Sequence, residues 1–107
     1  MIKVCYDKKQ NRLSLRGHAD FAPYGSDLVC ACVTMLCHTL GQAVAEHCQE
    51  KRAHDPVLIL RPGFAEIACT PSFPHKRRVK NTFHELCLGF ALLAEHYPEH
   101  LTFSKHA

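Results

Sequence analysis

Apolar and polar residues alternate at the start of the chain, which is the period of a β-strand. The alternation covers the first seven residues and resumes at Leu13 and Leu15 after a polar turn, so the pattern predicts a β-hairpin. A second hairpin is predicted where the continuous apolar run Val57–Leu60 is followed by a Pro-Gly turn and by Phe64–Thr70. Leu101–Phe103 is expected to add a short edge strand.

Two longer segments repeat their apolar residues every three or four positions, which is the period of an amphipathic helix. The first runs from Asp27 to about Glu50, with Asp27 expected as the N-cap. The second follows a proline-rich turn and ends before Pro98. The apolar stripes are Val29, Val33, Leu36, Leu40 and Val44 in the first helix, and Val79, Phe83, Leu86, Phe90, Leu93 and Tyr97 in the second.

The order strand, strand, helix, strand, strand, helix predicts a two-layer α+β fold. A mostly antiparallel sheet with both helices on one face buries both apolar stripes with the fewest elements. The 107 residues are expected to form one domain, residues 1–107. With 47% hydrophobic and 21% charged residues and a net charge of +3, the composition excludes intrinsic disorder.

The seven cysteines are expected to be free thiols. The N-terminal residues lack the apolar stretch of a signal peptide, which predicts a cytoplasmic protein without a membrane partner, and the cytoplasm keeps disulfides reduced. No Cys-x-x-Cys pair is present, and Cys30 and Cys32 would point to different sides of a helix. We therefore expect neither a metal site nor a cofactor, and we interpret most cysteines as small buried apolar residues.

One pair of residues is a candidate nucleophilic site. Cys30 would be the third residue of a helix capped by Asp27, where free backbone N–H groups and the helix dipole favour a thiolate. His18, at the end of the second strand, is separated from that helix by a loop that could bring its imidazole beside the sulfur. A thiol, a base and backbone donors make a candidate for nucleophilic catalysis. The competing interpretation is a structural cysteine inside a helix and a solvated histidine at a strand end.

The same segment resembles the signature of the ribosomal-processing cysteine protease family, Prp. The matching residues are Gly17-His18-Ala19 and Tyr24-Gly25-x-Asp27-x-Val29-Cys30-Ala31, with Glu95-x-Tyr97-Pro98 near the end of the chain. Cys30 follows His18 by twelve positions, with Asp27 three before it, which is a specific combination. The resemblance extends over almost the whole chain.

This resemblance implies a small homodimeric endopeptidase that removes the N-terminal extension of a large-subunit ribosomal protein of the L twenty-seven type, an extension that ends in a phenylalanine-containing peptide. It implies a catalytic dyad of His18 and Cys30, and a mobile loop that covers the bound peptide. The loop would comprise Ala19, Asp20, Phe21, Ala22, Pro23, Tyr24, Gly25 and Ser26. Gly17 and Gly25 are suitable hinges because glycine absorbs large backbone changes.

Asp27 and Thr34 are expected to support the dyad. Asp27 would cap the helix or hold the loop, and Thr34 places a hydroxyl one turn from Cys30, where the family more often has a serine. Cys32 stands where the family more often has alanine, so a second thiol lies near the first. We expect both departures to affect substrate preference more than activity.

Two other functions remain open from the sequence. The basic cluster His75–Lys80 is either a solvated helix start or a surface that docks an acidic partner or ribosomal RNA, which gives a ribosome- or RNA-associated binding module as the alternative function. No aromatic stacking motif is evident beside it. A thiol-redox protein using Cys30 and Cys32 is disfavoured, because residues two apart on a helix diverge by about 200°.

The apolar run Val57–Leu60 also bears on the oligomeric state. A strand that is apolar on both sides is expected to be buried on both faces, whereas a two-layer fold leaves one face wet. Together with the family resemblance, this predicts a homodimer.

Overall fold

The computed structural model describes residues 1–17 and 24–106, without the side chains of residues 24–27. The elements are β1 (Ile2–Asp7), β2 (Arg12–Arg16), α1 (Tyr24–Gln49), β3 (Ala53–Arg61), β4 (Phe64–Pro71), α2 (Lys76–His96) and β5 (Leu101–His106). Their order confirms the predicted sequence of hairpin, helix, hairpin and helix, and the last strand is present.

The five strands form one mixed sheet in the order β3-β4-β2-β1-β5. All neighbouring strands are antiparallel except β1 and β5, which are parallel. Both helices pack against the sheet and against each other. The fold is therefore α+β, as predicted, with one parallel pair in an otherwise antiparallel sheet.

Both helices and the strands they cover share one core, because each contributes its apolar stripe to the same cluster. On β1 the alternating residues Ile2, Val4 and Tyr6 are buried, as period-two patterning requires. Tyr6 stacks on Phe83 of α2, with ring centroids 5.7 Å apart. The core is thus continuous from the sheet into α2.

Several element boundaries differ from the prediction; strand β5, for example, extends to His106 rather than Phe103. Strand β3 begins at Ala53, because an irregularity between His54 and Val57 takes up Asp55, whose φ is +53°, within the strand. Helix α1 begins at Tyr24, three residues before Asp27. The prediction that Asp27 is the N-cap is therefore wrong, and Asp27 lies in the first turn.

Strand β3 is at the edge of the sheet, and its apolar run Val57–Leu60 is not buried. Leu58, Ile59 and Leu60 are 42%, 37% and 38% exposed. The expected burial on both faces is therefore wrong for a single chain, because an edge strand has a neighbour on one side only and α1 covers it incompletely.

The segment Leu28–Gln49 of α1 is long and apolar enough to cross a membrane, by length and composition alone. Core helices of soluble proteins meet the same criterion. One stripe of this helix, which includes Val29, Val33 and Leu40, packs into the core, whereas Met35 on another side is 67% exposed.

Candidate active site

Cys30 lines a groove between α1, the end of β2 and the turn that joins β3 to β4. The groove has a volume of about 470 Å³. Its lining residues are Ile2, Leu15, Gly17, Cys30, Val33, Thr34, Cys37, His38, Leu60, Arg61, Pro62, Gly63, Phe64 and Ala65. Most of the lining is apolar, and its polar side chains are on α1 or at the end of β3, as in sites that bind an extended or small ligand.

Burial distinguishes Cys30 from three of the other thiols, and its place on the groove distinguishes it from the rest. Burial raises the pKa of Cys37, Cys69 and Cys87 to about 11, and all three are buried. Burial also raises the pKa of Cys48, with the Asp55 carboxylate as a second cause. Such groups remain protonated near neutral pH and react slowly. Cys5, Cys30, Cys32 and Cys48 are partly exposed, and of these four only Cys30 lines the groove.

The position of Cys30 in α1 differs from the sequence prediction. Because α1 begins at Tyr24, Cys30 is its seventh residue rather than the third residue after a cap. The backbone N–H of a residue in the second turn bonds within the helix, and the helix dipole acts mainly on the first turn. The predicted stabilisation of a Cys30 thiolate by free backbone N–H groups therefore does not apply.

The chain reaches the mouth of the groove through Gly17, the residue that precedes His18. Gly17 lines the groove, and its N–H donates to the carbonyl of Gly63 at 3.0 Å. Its φ is +114°, and a Cβ atom there would lie 2.2 Å from the carbonyl oxygen of Met1. Only glycine fits this conformation and this close approach. His18 itself lies outside the described residues.

The predicted loop is only partly described. Residues 18–23 lie outside the described part of the chain, as does the side chain of Asp27. Tyr24, Gly25 and Ser26 belong to the first turn of α1, so this part of the loop prediction is wrong. The predicted hinge at Gly25 falls within that helical turn.

The remaining predicted residues on α1 divide between two sides of the helix. Thr34 lines the groove one turn after Cys30, as the prediction required, whereas Cys32 is not among the lining residues. This agrees with the divergence expected of residues two apart on a helix. Within residues 1–17 and 28–106, no three side chains of His, Cys, Asp or Glu are grouped to hold a metal ion.

The β3–β4 turn is a part of this groove that the sequence did not reveal. Across β3, β4 and β2 lies a row of Arg61, Phe64 and Arg16, in which Phe64 is paired with both arginines. The Cζ atoms of Arg61 and Arg16 lie 4.7 and 5.5 Å from the centre of the Phe64 ring, within cation–π range. The Arg-Pro-Gly segment indicated only a turn, and nothing local showed that β4 pairs with β2.

Comparison with known proteins agrees with this fold. The family model described as cysteine protease Prp matches residues 1–102. A crystal structure of SMU.848 from Streptococcus mutans is 25% identical, with 98% of this chain and 91% of that chain covered and a TM-score of 0.71. A search of curated proteins gives no significant match.

Two further crystal structures are of the essential ribosomal processing protease Prp from S. aureus. One contains a substrate peptide, with 17% identity, 98% of this chain and 99% of that chain covered, and a TM-score of 0.75. The other contains a covalently linked product peptide, with 18% identity, the same coverage and a TM-score of 0.74. At this identity they establish the shared fold.

Proposed function

This chain belongs to the cysteine protease Prp family, and we propose from that premise that Cys30 and His18 form its catalytic dyad. The observation that carries the proposal is that one thiol, that of Cys30, is both partly exposed and on the groove. Among the partly exposed cysteines, only Cys30 opens into the groove, and the residue before His18 lines the same groove. The pairing of a thiol with a histidine base is the arrangement that nucleophilic cleavage of a peptide bond requires.

Cleavage by this dyad proceeds in two steps. His18 takes the proton of the Cys30 thiol, and the sulfur attacks the carbonyl carbon of the scissile peptide bond. The C–N bond then breaks, His18 gives the proton to the leaving amine, and a thioester remains on Cys30. Water, deprotonated by His18, hydrolyses the thioester and restores the thiol. The dyad uses neither a metal nor a cofactor.

Thr34 is a supporting residue in this scheme. Its side chain is exposed on the groove one turn after Cys30, where its hydroxyl can donate to the substrate or to the developing oxyanion. Because the N–H groups next to Cys30 bond within the helix, they are not available to the oxyanion, and a side-chain donor becomes more important. Asp27, in the first turn of α1, supports the site from the start of the same helix.

We assign as substrate the N-terminal extension of a large-subunit ribosomal protein of the L twenty-seven type. The family resemblance supports this assignment, and one of the structural neighbours is a ribosomal processing protease crystallised with a substrate peptide. The largely apolar groove, with Phe64 and Leu60 in its wall, suits a peptide that presents phenylalanine. The covering role of residues 19–23, which precede α1, and the cytoplasmic location belong to the same proposal.

The protein is further proposed to act as a homodimer. Strand β3 is a nine-residue edge strand with three exposed apolar residues in succession, and such an edge is open to pairing with a second chain. On α1, Leu28 and Met35 are also exposed. Leu60 and Arg61 lie both on β3 and on the groove, so a partner at this edge would border the active site.

Alkylation of the thiols tests the dyad without knowledge of the substrate. Treatment with limiting iodoacetamide at neutral pH, followed by peptide mapping, should modify Cys30 faster than Cys5 or Cys32 in the wild type. In His18→Ala this preference should disappear near neutral pH, because no base is then left to take the proton of the Cys30 thiol. His38→Ala is the matched control, since His38 lines the same groove without belonging to the dyad. Equal labelling of Cys30 in the wild type and in His18→Ala would contradict the proposal.

A further inference from the structure

Beyond the protease groove, the molecule carries a basic surface at the other end of the β1–β2 hairpin. Lys8, Lys9, Lys76 and Lys80 surround an open depression of about 630 Å³, together with Thr70 and Pro71. We propose that this basic surface, with the adjacent Phe73, binds a single-stranded nucleic acid. Its lysines would contact the phosphates, and Phe73 would stack on a base.

The lysines are held close together although they repel one another. The ammonium of Lys80 donates a hydrogen bond to the carbonyl of Lys8. Partial burial lowers the pKa of Lys80, and the charges of Lys76 and Lys8 lower it further. Asp7 is the nearby carboxylate that opposes this effect, but its Oδ1 already accepts the N–H groups of Lys9 and Gln10. An anion on this surface would relieve the repulsion.

The positive charges at the start of α2 do not stabilise that helix. Residues 76–78 at the start of α2 are Lys, Arg and Arg, no acidic residue lies in the first turn, and His75 makes no side-chain cap. Positive charge at a helix N-terminus is unfavourable. Arg77 and Arg78 line a second open depression of about 550 Å³ on the other side of this turn, where Glu85 is the acidic residue. The basic surface thus continues around the helix start.

Phe73 adds an aromatic platform that the sequence pattern did not reveal. Its side chain is 94% exposed, and it lies in the turn between Pro71, which lines the first depression, and Pro74, which lines the second. A phenylalanine so exposed makes little contribution to the core. Proteins that bind single strands combine a cationic groove with an exposed aromatic ring on which an unpaired base stacks.

The same features argue against an acidic protein as the partner. Protein interfaces depend on a buried apolar or aromatic centre with a polar rim. Here a single aromatic side chain lies between two depressions whose charged linings are mainly lysine and arginine. Lysines present point charges to a flexible phosphate chain, and an isolated ring can stack only on a base that is not paired. A single strand therefore fits better than a duplex or a folded protein.

Fluorescence anisotropy with labelled RNA and DNA strands of about 12 nucleotides tests this proposal. Both strands should bind, and the one that binds more tightly indicates whether the natural ligand is RNA or DNA. If four lysines contact phosphates, affinity should fall about 50-fold between about 50 and about 200 mM KCl, since each contact on a single strand contributes about −0.7 to the logarithmic salt slope. Lys8→Gln/Lys76→Gln should make that slope shallower by about 1.4.

The control variant removes the same charge from the other end of the hairpin. Lys3 and Arg16 are exposed and face each other across β1 and β2, about 17 Å along the strand from Lys8. Lys3→Gln/Arg16→Gln should leave the salt slope near that of the wild type. Phe73→Ala should weaken binding at least about fivefold without changing the slope, because it removes stacking but no charge. Thermal melts of all variants establish that they are folded.

Several results would overturn the proposal. These are no binding at about 50 mM KCl, equal losses in the two double variants, or equally tight binding of an oligoglutamate of the same length, which would indicate an acidic protein partner. A lower particle mass for Phe73→Ala than for the wild type would also overturn it, because Phe73 would then be buried between copies. Cys30→Ala should bind the strand like the wild type, so the outcome is independent of the protease proposal.

Discussion

At the scale of single residues, the local environments of Gly17 and His47 affect the build of the site and the stability of the chain. Gly17 is held where only glycine fits, immediately before His18 and on the wall of the groove. His47 joins the two helices within the core and is 5% exposed. Each environment leads to a prediction that a single substitution tests.

Gly17→Ala should both destabilise the protein and impair the site. The added Cβ would meet the carbonyl of Met1 in a backbone conformation that L-residues rarely adopt, so we expect a loss of about 1–3 kcal/mol in the free energy of unfolding. Relief of the clash would also displace the backbone of Gly17, which leads into His18, and so disturb the proposed dyad. Urea denaturation and a peptide-cleavage assay measure the two effects.

Gly41→Ala is the matched control. Its Cβ would lie 3.5 Å from a methyl group of Leu60, an ordinary contact, and alanine is favoured over glycine inside a helix by about 0.5–1 kcal/mol. Gly41→Ala should therefore be neutral or stabilising. Equal stability of Gly17→Ala and the wild type would contradict the structural role assigned to Gly17.

His47 should make the stability depend on pH. Its Nδ1 accepts a hydrogen bond from Nε of Arg52 at 2.9 Å, and its Nε2 lies 2.8 Å from the hydroxyl of Thr82. That hydroxyl donates to the carbonyl of Arg78, so the neutral tautomer with hydrogen on Nε2 satisfies all partners. Burial lowers the pKa of His47 below its usual 6.5, and the Arg52 charge lowers it further.

Because the pKa is lowered in the folded state, the unfolded chain binds a proton first as the pH falls. The contribution of His47 to stability is complete above about pH 6.5 and decreases below it. The urea midpoint of the wild type should therefore fall between about pH 7.5 and about pH 5.5 more than that of His47→Gln. Parallel curves for the two proteins would show that His47 is not the group responsible.

At the scale of elements, the sequence pattern correctly predicted the segments that bury a single face, because a single buried face spaces the apolar residues regularly along the chain. Strand β1 and helix α2 are of this kind. The buried residues of β1 match the predicted alternation, and Val79, Phe83 and Phe90 of the predicted α2 stripe are buried together with Cys87. The other residues of that stripe, Leu86, Leu93 and Tyr97, are partly buried against the core. The start of α1 was placed too late, because Asp27 is a good cap in isolation and local sequence does not show that the helix continues back to Tyr24.

Strand β3 shows why an apolar run alone does not establish burial. Val57–Leu60 predicted a strand covered on both faces, yet β3 lies at the edge of the sheet. Its edge position depends on the long-range pairing of β4 with β2, which a local pattern does not show. The same pairing brings Gly63 to Gly17 and completes the groove. Neither the edge position of β3 nor the contact between Gly63 and Gly17 could be predicted from the local pattern.

The exposed edge leads to a prediction about assembly. Light scattering should give the wild type a mass of about 24 kDa, twice the 12.1 kDa of the chain. Leu58→Glu should shift the particle toward the monomer, because a charge on this edge opposes strand pairing. Leu92→Glu, at a similarly exposed leucine on α2, should leave the mass unchanged. A wild-type mass of about 12 kDa would contradict the dimer.

At the scale of the whole molecule, the two ends of the β1–β2 hairpin present different chemistry. The end with Ile2 and Gly17 forms the apolar groove around Cys30, and the end with Lys8 and Lys9 forms the basic surface. A protease that also binds a single-stranded nucleic acid could hold a ribosomal substrate while the groove acts on its peptide. Variants at one end should leave the activity of the other end intact.

Cleavage by one thiol is the central claim, and it is tested most directly by mass spectrometry of a peptide that spans a phenylalanine-containing N-terminal extension. We predict that the wild type cleaves this peptide, that Cys30→Ala does not, and that Cys32→Ala does. Cleavage by Cys30→Ala at the wild-type rate would show that another residue is the nucleophile, and no cleavage by any of the three proteins would contradict the assigned substrate.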